Sequence, residues 1–283
     1  MLRGRPRGAR LARAAGAARS ALGLRRAALG YVGLFVALPV AALAARALAD
    51  GPASLLAALR RPEAFTSLWL TFRLALALIA VNTVMGTLMA WVLVRHAFPG
   101  RSLVNALIDL PFAIPTIVTG LMLVVLYGPQ GVVGRFLSER GVEIIYAKPG
   151  IVLALLFVTF PFVVRAVQPV LMELDRDKEE AAATLGASRW TVFRRVVLPA
   201  LLPAILTGAA LSFSRALGEF GSVIMVAGNI PLRTQTAPVY VYGEIESDNH
   251  AGALAVSLVL LLGSLFVLIV LHRLQTLGRR RDG

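Results

Sequence analysis

Six stretches of this chain are apolar for long enough to cross a lipid bilayer, and that succession leaves few folds open. They cover residues 27–45, 74–94, 103–127, 150–170, 200–227 and 252–271. A spanning helix needs about 20 mostly apolar residues. In lipid, every backbone polar group must find its partner inside a helix or a closed barrel. Of the 283 residues, 58% are hydrophobic and only 16% charged, against about 25% charged in a soluble domain. The sequence therefore predicts an all-α membrane protein of six transmembrane helices, with no room for a soluble domain.

The net charge of +14 would suggest nucleic acid in a soluble protein; among membrane helices it is first a topology signal. Loops that stay in the cytoplasm are enriched in Lys and Arg. With the N-terminus inside, cytoplasmic segments hold 19 of the 29 basic residues. Both termini are thus expected in the cytoplasm, as basic tails at 1–26 and 272–283 that flank a membrane domain at 27–271. A nucleic-acid partner is not expected; membrane lipid is. A competing reading makes the basic start, the first apolar run and Ala47-Leu48-Ala49 a signal peptide with a small-residue cleavage site. Against it, the run is span-length and five more spans follow. The absence of cysteine excludes disulfides and thiolate metal sites, and His96, His250 and His272 show no metal-ligand spacing. No cofactor is expected.

Within the spans, Asn82, Thr83, Gly86 and Thr87 are small or polar, as at packed helix faces. Pro111 and Pro115 in the third span, and Pro161 in the fourth, free backbone carbonyls that neighbours or a water-lined cavity must satisfy.

One segment breaks the apolar pattern, RDKEEAAATLGASRWTVFRRVVLP at 176–199, with three acids and five bases between two spans. Leu171, Leu174, Lys178, Ala181 or Ala182, and Leu185 recur at helical spacing. Alanine has the best helix propensity, and Gly186 suits a helix end in the left-handed conformation. Ser188 is placed to cap a second helix on which Trp190, Phe193 and Val197 share a side. Arg189, Arg194 and Arg195 would lie at the headgroup boundary, where anionic lipid attracts them. The segment reads as helix, glycine turn and helix on the cytoplasmic side; by residue type alone it could equally be a solvated charged loop.

The spacing is more specific. Glu180-Ala181-Ala182, three residues, Gly186, nine residues, then Val196-x-Leu198-Pro199 resembles the EAA loop of ABC importer permeases, with Val196 where that pattern has isoleucine. The resemblance implies a type I (MetI-like) permease, with residues 172–199 as the loop that docks on an ATP-binding subunit. Glu180, Ala181, Ala182, Gly186, Leu198 and Pro199 would be its coupling residues. Ala181, Ala182 and Leu185 offer a small apolar face, and Glu180 a charge-assisted contact at its rim. The chain itself has no Walker A loop, which needs Gly-Lys-Ser/Thr; its only lysines are Lys148 and Lys178. It is not expected to be an enzyme.

DLPFAIPT, FPFVVRAVQPVLMELD and SFSRALGEFGSVIMVAGNIPLRTQTAP resemble sulfate permeases of the T type (CysT/CysU), with Gln235 where that pattern has an acid. This resemblance implies sulfate, with thiosulfate as a further cargo, carried by alternating access across a bacterial inner membrane. It also implies a companion W-type (CysW-like) permease as heterodimer, a dimer of CysA-like ATP-binding subunits and a periplasmic sulfate-binding protein. The residue chemistry offers candidates for the path. Ser212, Arg215, Glu219 and Ser222 are three or four apart, as on one helix face; Asp109 and Arg165 come from neighbouring spans. Ionisable groups within spans face a bundle interior or aqueous cavity, and guanidinium suits a tetrahedral dianion. The alternative is that Arg215 and Glu219 merely neutralise each other. The rival functions are a molybdate-type permease of the same class and, from another class, a proton-coupled secondary anion transporter relaying through Glu219 or Asp109. A membrane enzyme is a weaker third.

Overall fold

A computed structural model of the chain describes residues 23–279. The expected N-terminal tail falls almost wholly outside these residues, as does the end of the C-terminal one. The described chain forms two compact units, divided between Leu55 and Leu56. The first contains α1 (Gly23–Leu48), whose apolar side chains, including Leu29, Leu34 and Phe35, are exposed. Its backbone widens into a π-helical turn at Gly33–Ala37, just before Pro39. A proline lacks an N–H and its ring meets the carbonyl four residues back, so an extra residue in the turn relieves the clash. Helix α2 (Gly51–Leu59) follows, and the unit boundary falls within it.

The second unit holds the remaining elements. Helix α3 (Pro62–Arg95) begins with proline in its first turn and Glu63 beside it, and ends where His96 becomes extended; both starting features favour a helix N-terminus. At 34 residues it is about 50 Å long, more than the roughly 30 Å of a bilayer core. The expected span at 74–94 is therefore only the latter part of a helix that reaches back to Pro62.

The third predicted span, 103–127, is not continuous. It forms α4 (Arg101–Ala113) and α5 (Thr116–Tyr127), bent by 114°. Ile114 between them is extended, φ −87° and ψ 128°, because the ring of Pro115 disfavours helical backbone in the residue before it. Short α6 (Val132–Ser138) leads to α7 (Lys148–Glu173). The charged segment forms α8 (Arg176–Thr184) and the start of α9 (Arg189–Leu217). A second π turn, Phe193–Val197, again stands just before a proline, Pro199. The fifth span also stops short of its expected end at 227: α9 ends at Leu217, and a separate α10 (Gly221–Ala227) follows. Helices α11 (Ala237–Glu246) and α12 (His250–Arg279) complete the chain. Among the described residues, five helices are long and apolar enough to cross a membrane, six with the bent pair counted as one span.

The core lies where α3, α7 and α9 meet. In lipid, helix association relies on close packing and hydrogen bonds rather than hydrophobic exclusion, and both are present. Val163 on α7 is fully buried between two glycines. A Cβ added at Gly86 would stand 2.7 Å from Val163 Cβ, and one at Gly208 2.7 Å from Val163 Cα. One turn away, Asn82 Nδ2 donates to Thr159 Oγ1 at 2.6 Å, and Ser212 Oγ donates to the Thr159 carbonyl at 3.0 Å. Asn82 and Gly86 thus serve packing, and Ser212, expected on the path, ties α9 to α7. The second halves of the two broken spans also meet, since Gly120 on α5 packs against Ser222 and Met225 of α10.

Candidate functional site: a charged loop and two paired arginines

The charged segment is a helix–turn–helix held by its own caps. Asp175 accepts from the Asp177 amide at 3.0 Å and caps the start of α8. The expected apolar stripe does not run from Leu171 to Leu185. Leu174 turns extended, ψ 118°, and separates α7 from α8. At the other end Gly186 takes φ +83°. Its amide reaches the Ala183 carbonyl at 3.0 Å, and the Ala187 amide the Ala182 carbonyl at 3.1 Å. This is the paired hydrogen-bond pattern that closes a helix on a left-handed residue. Ser188 Oγ then accepts from the Thr191 amide at 3.2 Å and starts α9. No residue of α8 is buried. Glu180, Ala181 and Leu185 are exposed, and Leu185 is 88% exposed, an unusual state for a large apolar side chain beside charged neighbours. Leu198 and Pro199 lie past the π turn, inside α9. On its inner side the loop bounds a cavity of ≈ 320 Å³ with Trp91, Phe193 and Val197, and Glu179 pairs there with Arg95 at the end of α3. Sequence reasoning counted Arg95 only as a topological charge.

The remaining candidates separate into two clusters. Val163 faces Gly208 and Thr159 faces Ser212, so α7 and α9 run antiparallel. In that register Arg165 and Arg215 lie at levels about 13 Å apart along the bundle, from the helix rise of 1.5 Å per residue. The candidates expected at one cavity thus stand at two levels of the bundle.

The cluster nearer the loop is densely hydrogen-bonded. Arg165 Nε donates to Asp109 Oδ1 at 2.6 Å. Its Nη1 donates to Gln168 Oε1 at 2.5 Å and to Asn105 Oδ1 at 3.3 Å, and its Nη2 to the Asn105 carbonyl at 2.8 Å. All three nitrogens are engaged, and the guanidinium clamps α4 onto α7.

The second cluster is built on the break between α9 and α10. Because the helix ends at Leu217, Ser212, Arg215, Glu219 and Ser222 do not share one continuous helix face. Glu219 lies in the break, 2% exposed. It accepts from the Ser222 amide at 2.9 Å and from Ser222 Oγ at 2.8 Å, which caps the start of α10. Its other oxygen stands 2.5 Å from Arg215 Nη1. Among the described residues, Nε and Nη2 of Arg215 have no partner, and its side chain is 30% exposed. The hydroxyl of neighbouring Ser214 is also buried without a partner. This cluster can neutralise its own charge and still present donors.

Beyond it, the segment 228–236 folds over this end of the bundle. Thr234 Oγ1 donates to the Ala227 carbonyl at 2.7 Å, and Gln235 Nε2 to Asn229 Oδ1 at 2.6 Å. Burial, and then the charge of Glu244, pushes the nearby Tyr240 hydroxyl up to about 12, so it stays neutral. A cavity of ≈ 530 Å³ among Met85, Met89, Leu107, Phe157 and Phe160 is apolar and carries no basic group, which makes it a poor oxyanion site.

Comparison with known proteins agrees with this architecture. Residues 82–279 match the family model of the binding-protein-dependent transport system inner membrane component. The chain is 46% identical over 250 residues to the sulfate transport system permease protein CysT of Synechocystis sp., covering 88% of this chain and 87% of that one. It is 45% identical over 223 residues to the protein of that name in Synechococcus elongatus, covering 79% and 80%. Among solved structures, a bacterial ABC transporter that imports alginate superposes with a TM-score of 0.74 at 17% identity, covering 96% of this chain and 99% of that one. The methionine transporter MetNI gives 0.58 at 17% identity, covering 75% and 94%. At that identity the structures speak for the fold.

Proposed function

We propose, from the premise that this chain belongs to the family of binding-protein-dependent transport system inner membrane components, that it is the membrane-spanning permease subunit of an ATP-driven sulfate importer. The observation that carries the reading is the loop from Asp175 to Ser188. It is folded by its own caps, unburied, and exposes Ala181 and Leu185 beside Glu180. A helix that shows a small apolar face and a flanking carboxylate fits a partner groove rather than solvent. A secondary transporter would have no use for it. The relay such a carrier would need is also poorly supplied, because Glu219 already accepts from Arg215 and Ser222.

The partner on that face is an ATP-binding subunit, CysA-like and dimeric. A companion CysW-like permease completes the membrane part, and a periplasmic sulfate-binding protein delivers the anion. The chain spans a bacterial inner membrane with both termini in the cytoplasm, so the loop faces the nucleotide. Closure of the ATPase dimer drives α8, and the bundle alternates between inward- and outward-open states. Of the two arginines, Arg215 is the one with donors to offer a passing dianion, and a path must hold its ion weakly enough to release it.

Two substitutions test the coupling assignment. Proline cannot adopt positive φ, so Gly186→Pro breaks the turn between α8 and α9. Glu180→Arg reverses the charge at the rim. Each is expected to abolish copurification with the ATP-binding subunit, or to leave an assembled complex whose ATP hydrolysis no longer drives sulfate uptake. Wild-type association and uptake in both would sink the assignment.

A further inference from the structure

The coupling helix is barely attached to the bundle it must move. No residue of α8 is buried, and a cavity of ≈ 320 Å³ opens on its inner side. Among the described residues, one side-chain hydrogen bond or ion pair links α8 to the membrane helices, that between Glu179 and Arg95. Its two ends differ in what holds them. Glu179 stands on a helix of local caps, whereas Arg95 is the last residue of α3 and its side chain is 9% exposed. The Arg95 guanidinium lies 5.7 Å from the centre of the Trp91 ring. Trp91 in turn meets the ring of Phe193 edge-on, centroids 5.6 Å apart, and Phe193 opens the π turn in the first part of α9. The tether therefore joins three elements: α8, the end of α3 and the entry to α9.

We infer that Arg95 is a positioning residue for energy coupling, the group through which displacement of α8 is passed to α3. The inference rests on the assignment of α8 as the docking helix. A buried charge held by one carboxylate and one aromatic face cannot leave either cheaply, so α8 and α3 move together while the pair is intact. Arg95 Nε is buried without a partner, so a further donor is available as the loop shifts and the guanidinium rotates. Arginine suits this place better than lysine, because its planar group pairs with an acid and stacks on a ring at once.

The test uses the whole transporter, reconstituted with its ATP-hydrolysing subunit, companion permease and binding protein. Arg95→Met is expected to lower sulfate uptake per ATP hydrolysed by about tenfold, the scale of one charge-assisted hydrogen bond, while the ATP-binding subunit still copurifies. Arg95→Lys keeps the charge and is expected to recover most of the loss. Should Arg95→Met assemble poorly, a second measurement decides. The chain has no cysteine, so spin labels on Ala97→Cys and Arg176→Cys report the separation of α3 and α8 in the purified chain. The expected result is one narrow distance distribution in the wild-type background and a broadened one with Arg95→Met. Wild-type uptake per ATP, or an unchanged distribution, in Arg95→Met overturns the inference. Glu180→Arg run alongside separates the two layers. If it uncouples and Arg95→Met does not, only the role of Arg95 fails; if both are silent, the docking assignment itself is wrong.

Discussion

The two arginines inside this bundle solve the same problem in opposite ways. Both are paired with a carboxylate, as intramembrane charges must be, yet Arg165 is used up and Arg215 is not. Arg165 commits three nitrogens to Asp109, Asn105 and Gln168 across two helices, so an anion there would compete with the clamp on α4. Arg215 commits one nitrogen to an acid that lies in the break between two helices and is 1% exposed, and its remaining donors are open. Charge pairing therefore says little about function; the count of uncommitted donors says more. By that count Asp109 and Arg165 hold α4 to α7, and Arg215 is the stronger candidate for the path.

The comparison can be broken from either side. Arg215→Gln is expected to have the largest effect. It leaves the buried Glu219 carboxylate without its cation, a loss of about 3 kcal/mol on the scale of broken buried pairs, read as a lowered unfolding midpoint in detergent. The double variant Arg215→Gln, Glu219→Gln removes both charges and is expected to regain most of that stability while uptake stays at least about tenfold down, since the charged guanidinium is still missing. Wild-type uptake in the double variant would reduce Arg215 to a structural partner. For Arg165→Met the expected loss is smaller, about 1–2 kcal/mol, because Asp109 is 53% exposed and Gln168 Nε2 keeps its bond to Asn105 Oδ1. Sulfate concentration at half-maximal uptake should not change; a clear rise would return Arg165 to the path. Ser222→Ala is the mildest. Glu219 loses one hydroxyl donor and keeps the Ser222 amide, so about 1 kcal/mol is expected with uptake intact.

What the sequence made legible follows the range of the interactions. The coupling loop could be read because everything that shapes it is local. Gly186 takes the left-handed backbone and Ser188 caps the next helix, each within a few residues of what it controls. The fold class was equally plain, since a bilayer imposes its length on each apolar run. The breaks were not. Pro115 announced a disturbance in the third span, but a hydropathy window carries no direction and cannot tell a kink from a bend of 114°. At Gly218-Glu219-Phe220 the apolar run simply continues, so Arg215 and Ser222 read as one face when two helices share them. Asp109 and Arg165 were expected to line one cavity with Arg215; that they pair with each other depends on how α4 packs against α7, and their different level from Arg215 on the antiparallel register of α7 and α9. Arg95 was missed for the same reason, its partner lying 84 residues further along the chain.

The central claim is that this chain passes sulfate through the membrane at the expense of ATP hydrolysed elsewhere. Uptake of labelled sulfate into proteoliposomes holding the full transporter tests it most directly, with ATP enclosed or omitted, and with unlabelled molybdate as competitor. The account predicts uptake that requires both ATP and the binding protein, and that a modest excess of molybdate does not suppress. Uptake driven by a proton gradient with no ATP present would contradict it.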